Sequence, residues 1–269
     1  MSMPSKVWRL LLANPFRLLP VSFAAMISLG TLLLLLPQAT SSGQKTRFLD
    51  ALFTATSAVC VTGLSVVDTA THWSGFGQGI ILLLIQVGGL GIVTVVSIGI
   101  VLFADRIGLS HTRVLAADLR TDTYSNVPRL VRNIVLTTLA FEALFAVVLA
   151  ARFFFAHNYG FGTSVLHGIF HSISAWNNAG FALYTDNFLG FANDWFFSIA
   201  VCLAVILGGI GFPVLRTFAM HRLNWKMWPM HSKLMVSATA VLLVLGTALF
   251  LIFEWSNPGT LGALPETSR

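Results

Sequence analysis

Five apolar segments, each long enough to cross a lipid bilayer, constrain this chain more than any other feature. They run Leu18–Leu36, Gly79–Phe103, Ile134–Phe155, Phe196–Leu215 and Leu234–Phe253. About 20 mostly apolar residues make a helix as long as the hydrocarbon core is thick. With 56% hydrophobic and 10% charged residues and a mean hydropathy of +0.81, the pattern is that of an all-α polytopic membrane protein rather than a soluble domain. The first apolar run follows Lys6, Arg9 and Arg17, as a signal peptide would. It continues without a charge or a clean cleavage site and reads as a spanning helix.

The charges orient these spans. The N-terminal arm carries three basic residues. The connection after the second span carries Arg106, Arg113, Arg120, Arg129 and Arg132, and the one after the fourth carries Arg216, Arg222, Lys226 and Lys233. Together they account for 12 of the 16 Lys and Arg residues, so this side is read as cytoplasmic, with the N-terminus on it. Lys45, Arg47, Arg152 and Arg269 fall on the other side. Six of the ten acids, Asp50, Asp68, Asp186, Asp194, Glu254 and Glu266, also lie there. An outer acidic surface attracts cations, but the plainer reading is solvated loop residues. The net charge of +6 is spread between apolar blocks, which does not suit nucleic acid. Cys60 and Cys202 form neither a disulfide framework nor a metal spacing.

Two shorter apolar segments, Phe48–Val59 and Val165–Trp176, sit between the first and second spans and between the third and fourth. A dozen helical residues reach ~18 Å, against ~30 Å of hydrocarbon. Both must enter and leave from the outside. A shift of 117 residues places Phe53 on Phe170, Ser57 on Ser174, Ala58 on Ala175 and Gly63 on Gly180. A shift of 120 places Gly88, Gly89 and Gly91 on Gly208, Gly209 and Gly211. The unit of span, re-entrant helix, Gly turn and Gly-Gly-x-Gly span therefore occurs twice in the same direction, about an axis along the membrane normal. The resulting divisions are an arm (1–17), repeat one (18–104), a connection (105–132), repeat two (133–216), a connection (217–233), and the first span and outer segment of a third repeat (234–269).

Such convergence suits an ion path. A dehydrated monovalent cation needs several oxygen ligands, and a ring of backbone carbonyls supplies them. Val59, Cys60, Val61, Thr62 and Gly63 offer consecutive carbonyls, as do Asn177, Asn178, Ala179 and Gly180. The glycines are free to turn a carbonyl inward, and the negative ends of the short helices favour a cation. The competing reading makes Gly63 and Gly180 simple helix C-caps; their recurrence in register argues for the filter. Gly88, Gly89, Gly91, Gly208, Gly209 and Gly211 read as packing positions, with helix flexibility the alternative. Glu142, an acid inside the third span, reads as a carboxylate hydrogen-bonded to the neighbouring repeat rather than as a transport residue. His167 and His171 have metal-compatible spacing but no third ligand, so the only metal expected is potassium at the filter carbonyls. No nucleophile elbow or phosphate loop is present, and no enzyme is expected.

DALFTATSAVCVTGLSVVDT (Asp50–Thr69), GQGIILLLIQVGGLGIVT (Gly77–Thr94) and SAWNNAGFAL (Ser174–Leu183) resemble the Trk/Ktr/HKT potassium transporters, and most of all the membrane subunit of bacterial Ktr systems. RIGL at Arg106–Leu109 is similar to that family's first inner connection. The resemblance implies a potassium-channel-like fold, pseudo-fourfold when complete, with one filter glycine per repeat, here Gly63 and Gly180. A glycine in the first loop implies potassium rather than sodium. The resemblance also implies a homodimer in the bacterial inner membrane. It further implies a cytoplasmic nucleotide-binding regulatory ring against Ala104–Arg132 and Arg216–Lys233, no resident cofactor in this chain, and sodium at most as an activating or co-transported ion. With two complete repeats and part of a third, the chain is expected to be a fragment of a longer transporter. A broken-helix transporter of a small solute and a non-transporting membrane scaffold are the alternatives.

Overall fold

The computed structural model describes residues 15–91 and 127–260. In order they form α1 (Pro15–Leu34), a 3-10 turn (Pro37–Ala39), α2 (Phe48–Val59), α3 (Gly75–Gly89), α4 (Val127–Ala156), α5 (Phe161–Trp176), a 3-10 turn (Leu189–Phe191), α6 (Trp195–Ile210), α7 (Phe212–His221), a 3-10 turn (Trp225–Met227) and α8 (Met230–Glu254). No strand occurs among the described residues. A helix satisfies its own backbone groups, which is what a bilayer requires of a spanning segment. Val131–Ala156 and Met230–Glu254 are each long and apolar enough to cross, and α6 with α7 qualifies only as a bent pair.

Two units of the same design stand side by side. In α1–α2–α3 and in α4–α5–α6, a long helix and a third helix both pack on a short one. The short helix α2 presents Ala51, Ala55 and Ala58 inward, all with no exposed surface. Small side chains of this kind let neighbouring helices approach closely. Leu34 of α1 and Ile81, Leu84 and Ile85 of α3 close around them, and Phe170, Phe181 and Leu183 of the second unit join the same core. A second core gathers around Phe153, with Leu149, Phe191 and Phe197.

Asp194 starts α6. Its carboxylate accepts the Phe197 N–H at 3.1 Å, Arg152 Nε at 2.9 Å and His157 Nε2 at 2.8 Å. Burial pushes this carboxyl up, but the bonds from Arg152, Phe197 and His157 outweigh it and hold it below the usual carboxylate range. Ser74 starts α3 in the same manner, accepting the Gly77 N–H at 3.2 Å.

The structure departs from the expected elements in three places. The expected span Gly79–Phe103 starts at Gly75 and its helix already ends at Gly89, with Gly91 in the left-handed region (φ 79). The span Phe196–Leu215 is not continuous: it breaks at Gly211 (φ 87), and α6 and α7 meet at 95°. The left-handed backbone at Gly211 ends α6, and Pro213 in the first turn of α7 supplies no N–H to continue the ladder. The second short helix begins at Phe161, one turn before the expected Val165. At 16 residues it reaches ~24 Å, still short of the hydrocarbon thickness. Several expectations lie outside the described residues: most of the N-terminal arm, the second half of Gly79–Phe103, most of the Ala104–Arg132 connection, and the segment after residue 260.

A carboxyl held below its ordinary range contributes stability that is fully present above that range and is lost as pH falls beneath it, through the lowered folded-state value. Asp194→Asn is therefore expected to lower the thermal unfolding midpoint in detergent by several degrees at pH 7. The gap to the native protein should close as pH is taken below about 4. A gap that persists at low pH would show that the substitution acts through packing rather than charge.

Candidate ion-filter site

Each short helix ends in the same hydrogen-bonded turn. At the end of α2, the Val61 N–H donates to the Ala58 carbonyl at 3.3 Å and the Thr62 N–H to the Ser57 carbonyl at 2.9 Å. At the end of α5, the Asn178 N–H donates to Ala175 at 3.0 Å and the Ala179 N–H to Ser174 at 2.7 Å. This pair of bonds is the Schellman motif. The residues in the left-handed region that it requires are Val61 (φ 53) and Asn178 (φ 57). Both helices are thus already closed two residues before Gly63 and Gly180, so neither glycine is a C-cap. A β-branched residue in that region costs roughly 1–2 kcal/mol. Thr62 offsets this by donating its hydroxyl to Ser57 Oγ at 3.0 Å.

The glycines have a different task. Gly63 (φ 74) and Gly180 (φ 72) both turn the chain, and they do so against each other. A Cβ on Gly63 would lie 2.6 Å from the Ala179 carbonyl oxygen and 2.9 Å from Gly180 Cα, and one on Gly180 would lie 3.1 Å from Gly63 Cα. Only glycine meets both the backbone angle and the approach.

Behind the loops, the third helix of each unit receives the last helical carbonyl. A Cβ on Gly88 would overlap the Val59 carbonyl oxygen, and one on Gly208 would overlap the Trp176 carbonyl oxygen. The Val59 carbonyl, expected to line the filter, lies against Gly88, and Val59 itself is fully buried. Cys60 and Thr62 are exposed and Val61 and Gly63 half-buried, while in the second loop Asn178 and Gly180 are exposed, Asn177 half-buried and Ala179 buried. Gly89 faces the Asn177 side chain, and Gly209 lies opposite the Asn178 amide. With its nitrogen toward the Val205 carbonyl (3.2 Å) and its oxygen toward the Gly209 N–H (3.3 Å), that amide bridges the last full turn of α6. A side chain inserted into the helical ladder is a known cause of bending, and the break at Gly211 follows two residues later. Gly91 (φ 79) occupies the matching position after α3.

Glu142 joins the two units. It is 4% exposed, and its carboxylate accepts Gln86 Nε2 of α3 at 3.0 and 3.1 Å and Asn177 Nδ2 at 2.9 Å. Asn177 is the first residue after α5, so the carboxylate ties the base of the second loop to the third helix of the first unit. On the other side of the glycines, a recess of about 290 Å³ is lined by Gly63, Asp68, Gly180, Tyr184, Thr185 and Asn187. Thr185 donates to Asp68 Oδ2 across it at 2.8 Å. These are two glycine-turned loops with matching ends, meeting face to face below a carboxylate. That arrangement can present backbone oxygens to a cation.

Residues 6–256 match the TrkH cation transport protein family. The chain belongs to this family. It is 38% identical over 251 residues to a Bacillus subtilis protein named Ktr system potassium uptake protein B, covering 93% of this chain and 55% of that protein. It is 39% identical over 249 residues to the Vibrio alginolyticus protein of the same name, covering 92% and 54%. An Enterococcus hirae protein named potassium/sodium uptake protein NtpJ is 38% identical over 242 residues, covering 90% and 53%. The chain thus spans about half the length of these relatives.

Other residues of this TrkH-family chain hold the loops in ways that motif reading missed. His171 Nε2 accepts the Leu183 N–H at 3.1 Å, and its Nδ1–H donates to the His167 carbonyl at 2.8 Å. His167 Nδ1 lies 2.8 Å from the Tyr184 hydroxyl. The two histidines thus anchor the descending side of the second loop. Asp68 was legible in principle: it and Thr185 are separated by 117 residues, the repeat offset itself, so they occupy equivalent places in the two units.

Glu142→Ala removes the acceptor shared by Gln86 Nε2 and Asn177 Nδ2, the latter keeping its 2.9 Å bond to the Ile173 carbonyl, at a cost of roughly 1–3 kcal/mol in all. Glu142→Gln keeps one acceptor oxygen and is expected to lose distinctly less. Thermal unfolding of the two variants in detergent checks this, and equal losses would argue against the carboxylate as the tie.

Proposed function

We propose that this chain supplies two pore loops to the translocation path of a potassium-uptake protein of the bacterial inner membrane. The observation that carries this reading is the face-to-face contact of Gly63 and Gly180 at the ends of two matched short helices. The carbonyls from Cys60 to Gly63 and from Asn177 to Gly180 replace part of a cation's hydration shell. The negative ends of α2 and α5 converge on the same point. In this reading α2 and α5 are re-entrant from the outer side, the N-terminus is cytoplasmic, and the recess above the glycines faces outward. The relatives' names support potassium as the cargo, and the name of the Enterococcus hirae protein supports sodium as an accompanying ion. A second copy of the chain and a cytoplasmic nucleotide-binding regulatory subunit are the partners in this reading.

Asp68 gives the outer recess its charge. Slight burial pushes its carboxyl up, but the hydroxyls of Thr71 and Thr185 and the Ala70 N–H outweigh this and hold it below its ordinary range. It therefore stays ionised through neutral pH and draws cations toward the glycines.

Two substitutions in the gene encoding this chain test the reading in a potassium-uptake-deficient strain. Gly63→Ser is expected to raise sodium relative to rubidium influx by about tenfold, equivalent to ~1.4 kcal/mol of lost discrimination. Unchanged selectivity would remove Gly63 from the filter. Asp68→Asn is expected to raise the potassium concentration for half-maximal uptake several-fold at low ionic strength, with the difference shrinking in high salt. A salt-independent change would point to the Thr185 bond rather than to the charge.

A further inference from the structure

The helices α6 and α7 part at Gly211, and the side chain that stands at the break comes from the second loop. The Asn178 amide sits between Val205 and Gly209, donating to the Val205 carbonyl at 3.2 Å and accepting the Gly209 N–H at 3.3 Å. Those two residues are four apart, the spacing at which a helix bonds its own N–H to its own carbonyl. The amide thus occupies the place of a ladder bond. Two residues on, Gly211 adopts φ 87 and ψ 155, and α7 leaves α6 at 95°. The bend brings Phe212 and Leu215 of α7 beside Gly89, Asn177 and Asn178, around a cavity of about 180 Å³.

Gly211 and Pro213 permit this break, but the first unit shows that a proline is not needed to make one. Gly91, 120 residues earlier, is also left-handed (φ 79) just after α3 ends, and no proline follows it before Pro128. What the two breaks share is an asparagine of the second loop set against the second glycine of each pair. A Cβ on Gly89 would overlap the Asn177 side chain, and one on Gly209 would lie 3.6 Å from the Asn178 amide nitrogen. The first loop has Cys60 and Val61 at the equivalent positions and offers no side-chain amide to either helix. Asn177 is itself held by the Glu142 carboxylate at 2.9 Å and the Ile173 carbonyl at 2.9 Å. The second loop therefore has a firm footing from which Asn178 reaches α6.

We propose that Asn178 is a positioning residue: its amide, held in the ladder between Val205 and Gly209, keeps α6 in the bent form and so sets the direction of α7. Without that amide the Gly209 N–H is free to meet the Val205 carbonyl directly, and the ladder closes up toward Gly211. The backbone at Asn178 and the place of Phe212 and Leu215 then move as one. Asn178 also stands in the proposed filter run, and only the bearing of the bend on ion passage rests on that reading. The test reads a distance and no flux, so the two readings fail separately.

Double electron–electron resonance on the full chain in detergent measures the bend. Spin labels are placed through Ile199→Cys in α6 and Met220→Cys in α7, both exposed positions, with Cys60 and Cys202 replaced by serine. Given the 95° bend, a rise of about 1.5 Å per residue sets the two backbones ~22 Å apart, against ~32 Å in one unbroken helix. Asn178→Gly removes the amide and leaves the left-handed backbone free of strain. It is expected to move the distance distribution outward by on the order of 5 Å or more. Asn178→Asp accepts from Gly209 but brings no donor to Val205. It is expected to shift the same way, and it decides the question should Asn178→Gly fail to fold. Asn177→Ala loosens the loop but leaves the Asn178 amide in place, and is expected to keep the native distance. An unchanged distribution in the Asn178 variants would overturn the proposal and leave the bend to Gly211 and Pro213. A shift in Asn177→Ala as large as theirs would also overturn it, by assigning the bend to the loop as a whole.

Discussion

A helix that stops in a buried place must dispose of the carbonyls its last turn leaves unpaired, because no water is there to take them. That constraint organises this molecule. The Schellman pairs at Ser57–Thr62 and Ser174–Ala179 satisfy part of the last turn of α2 and α5. The carbonyls of Val59 and Trp176 are packed onto Gly88 and Gly208. What remains is a short run of backbone after each helix, turned by Gly63 and Gly180 and free to face a cation. The Gly-Gly-x-Gly segments and the loops are therefore one device: the glycine in the third helix makes room for the carbonyl that the short helix must hide.

The two units are fastened to each other on both sides of the glycine contact. On one side Glu142 collects donors from Gln86 and Asn177, and on the other Thr185 donates to Asp68. These ties hold the two loops to a common frame, as the proposed filter would require. The frame is not symmetric. The second loop is also anchored by His171 to the Leu183 N–H, whereas Thr54, the residue at the equivalent place in α2, has a buried hydroxyl without a hydrogen-bond partner among the described residues. The repeats share a backbone plan and differ in the side chains that steady it.

Much of this was legible in the residues. The lengths of Phe48–Val59 and its copy, set against the thickness of a bilayer, expose two helices that cannot cross. The offset of 117 residues aligns Ser57 with Ser174 and Gly63 with Gly180, and it pairs Asp68 with Thr185 as well. Less legible was which residue would cap each helix. Pattern reading favours a glycine in the left-handed position, yet Val61 and Asn178 occupy it, because the approach of the two loops reserves the glycines for another purpose. The bend after Ile210 was hidden for a similar reason: Gly211 and Pro213 permit a break, but a glycine in an apolar run is as often a packing position.

The sequence by itself determined the class of the protein, the repetition of its unit and the location of its two irregular loops. Hydrophobic length, repeat offset and glycine position are one-dimensional quantities, and the bilayer leaves few ways to satisfy them. Only the tertiary structure decided that Gly63 and Gly180 face each other, that the Val59 carbonyl is spent on Gly88, and that Glu142 is shared between Gln86 and Asn177. Each of these depends on a distance between residues far apart in the chain. Such distances are set by how whole helices pack, and no local propensity or spacing carries that information.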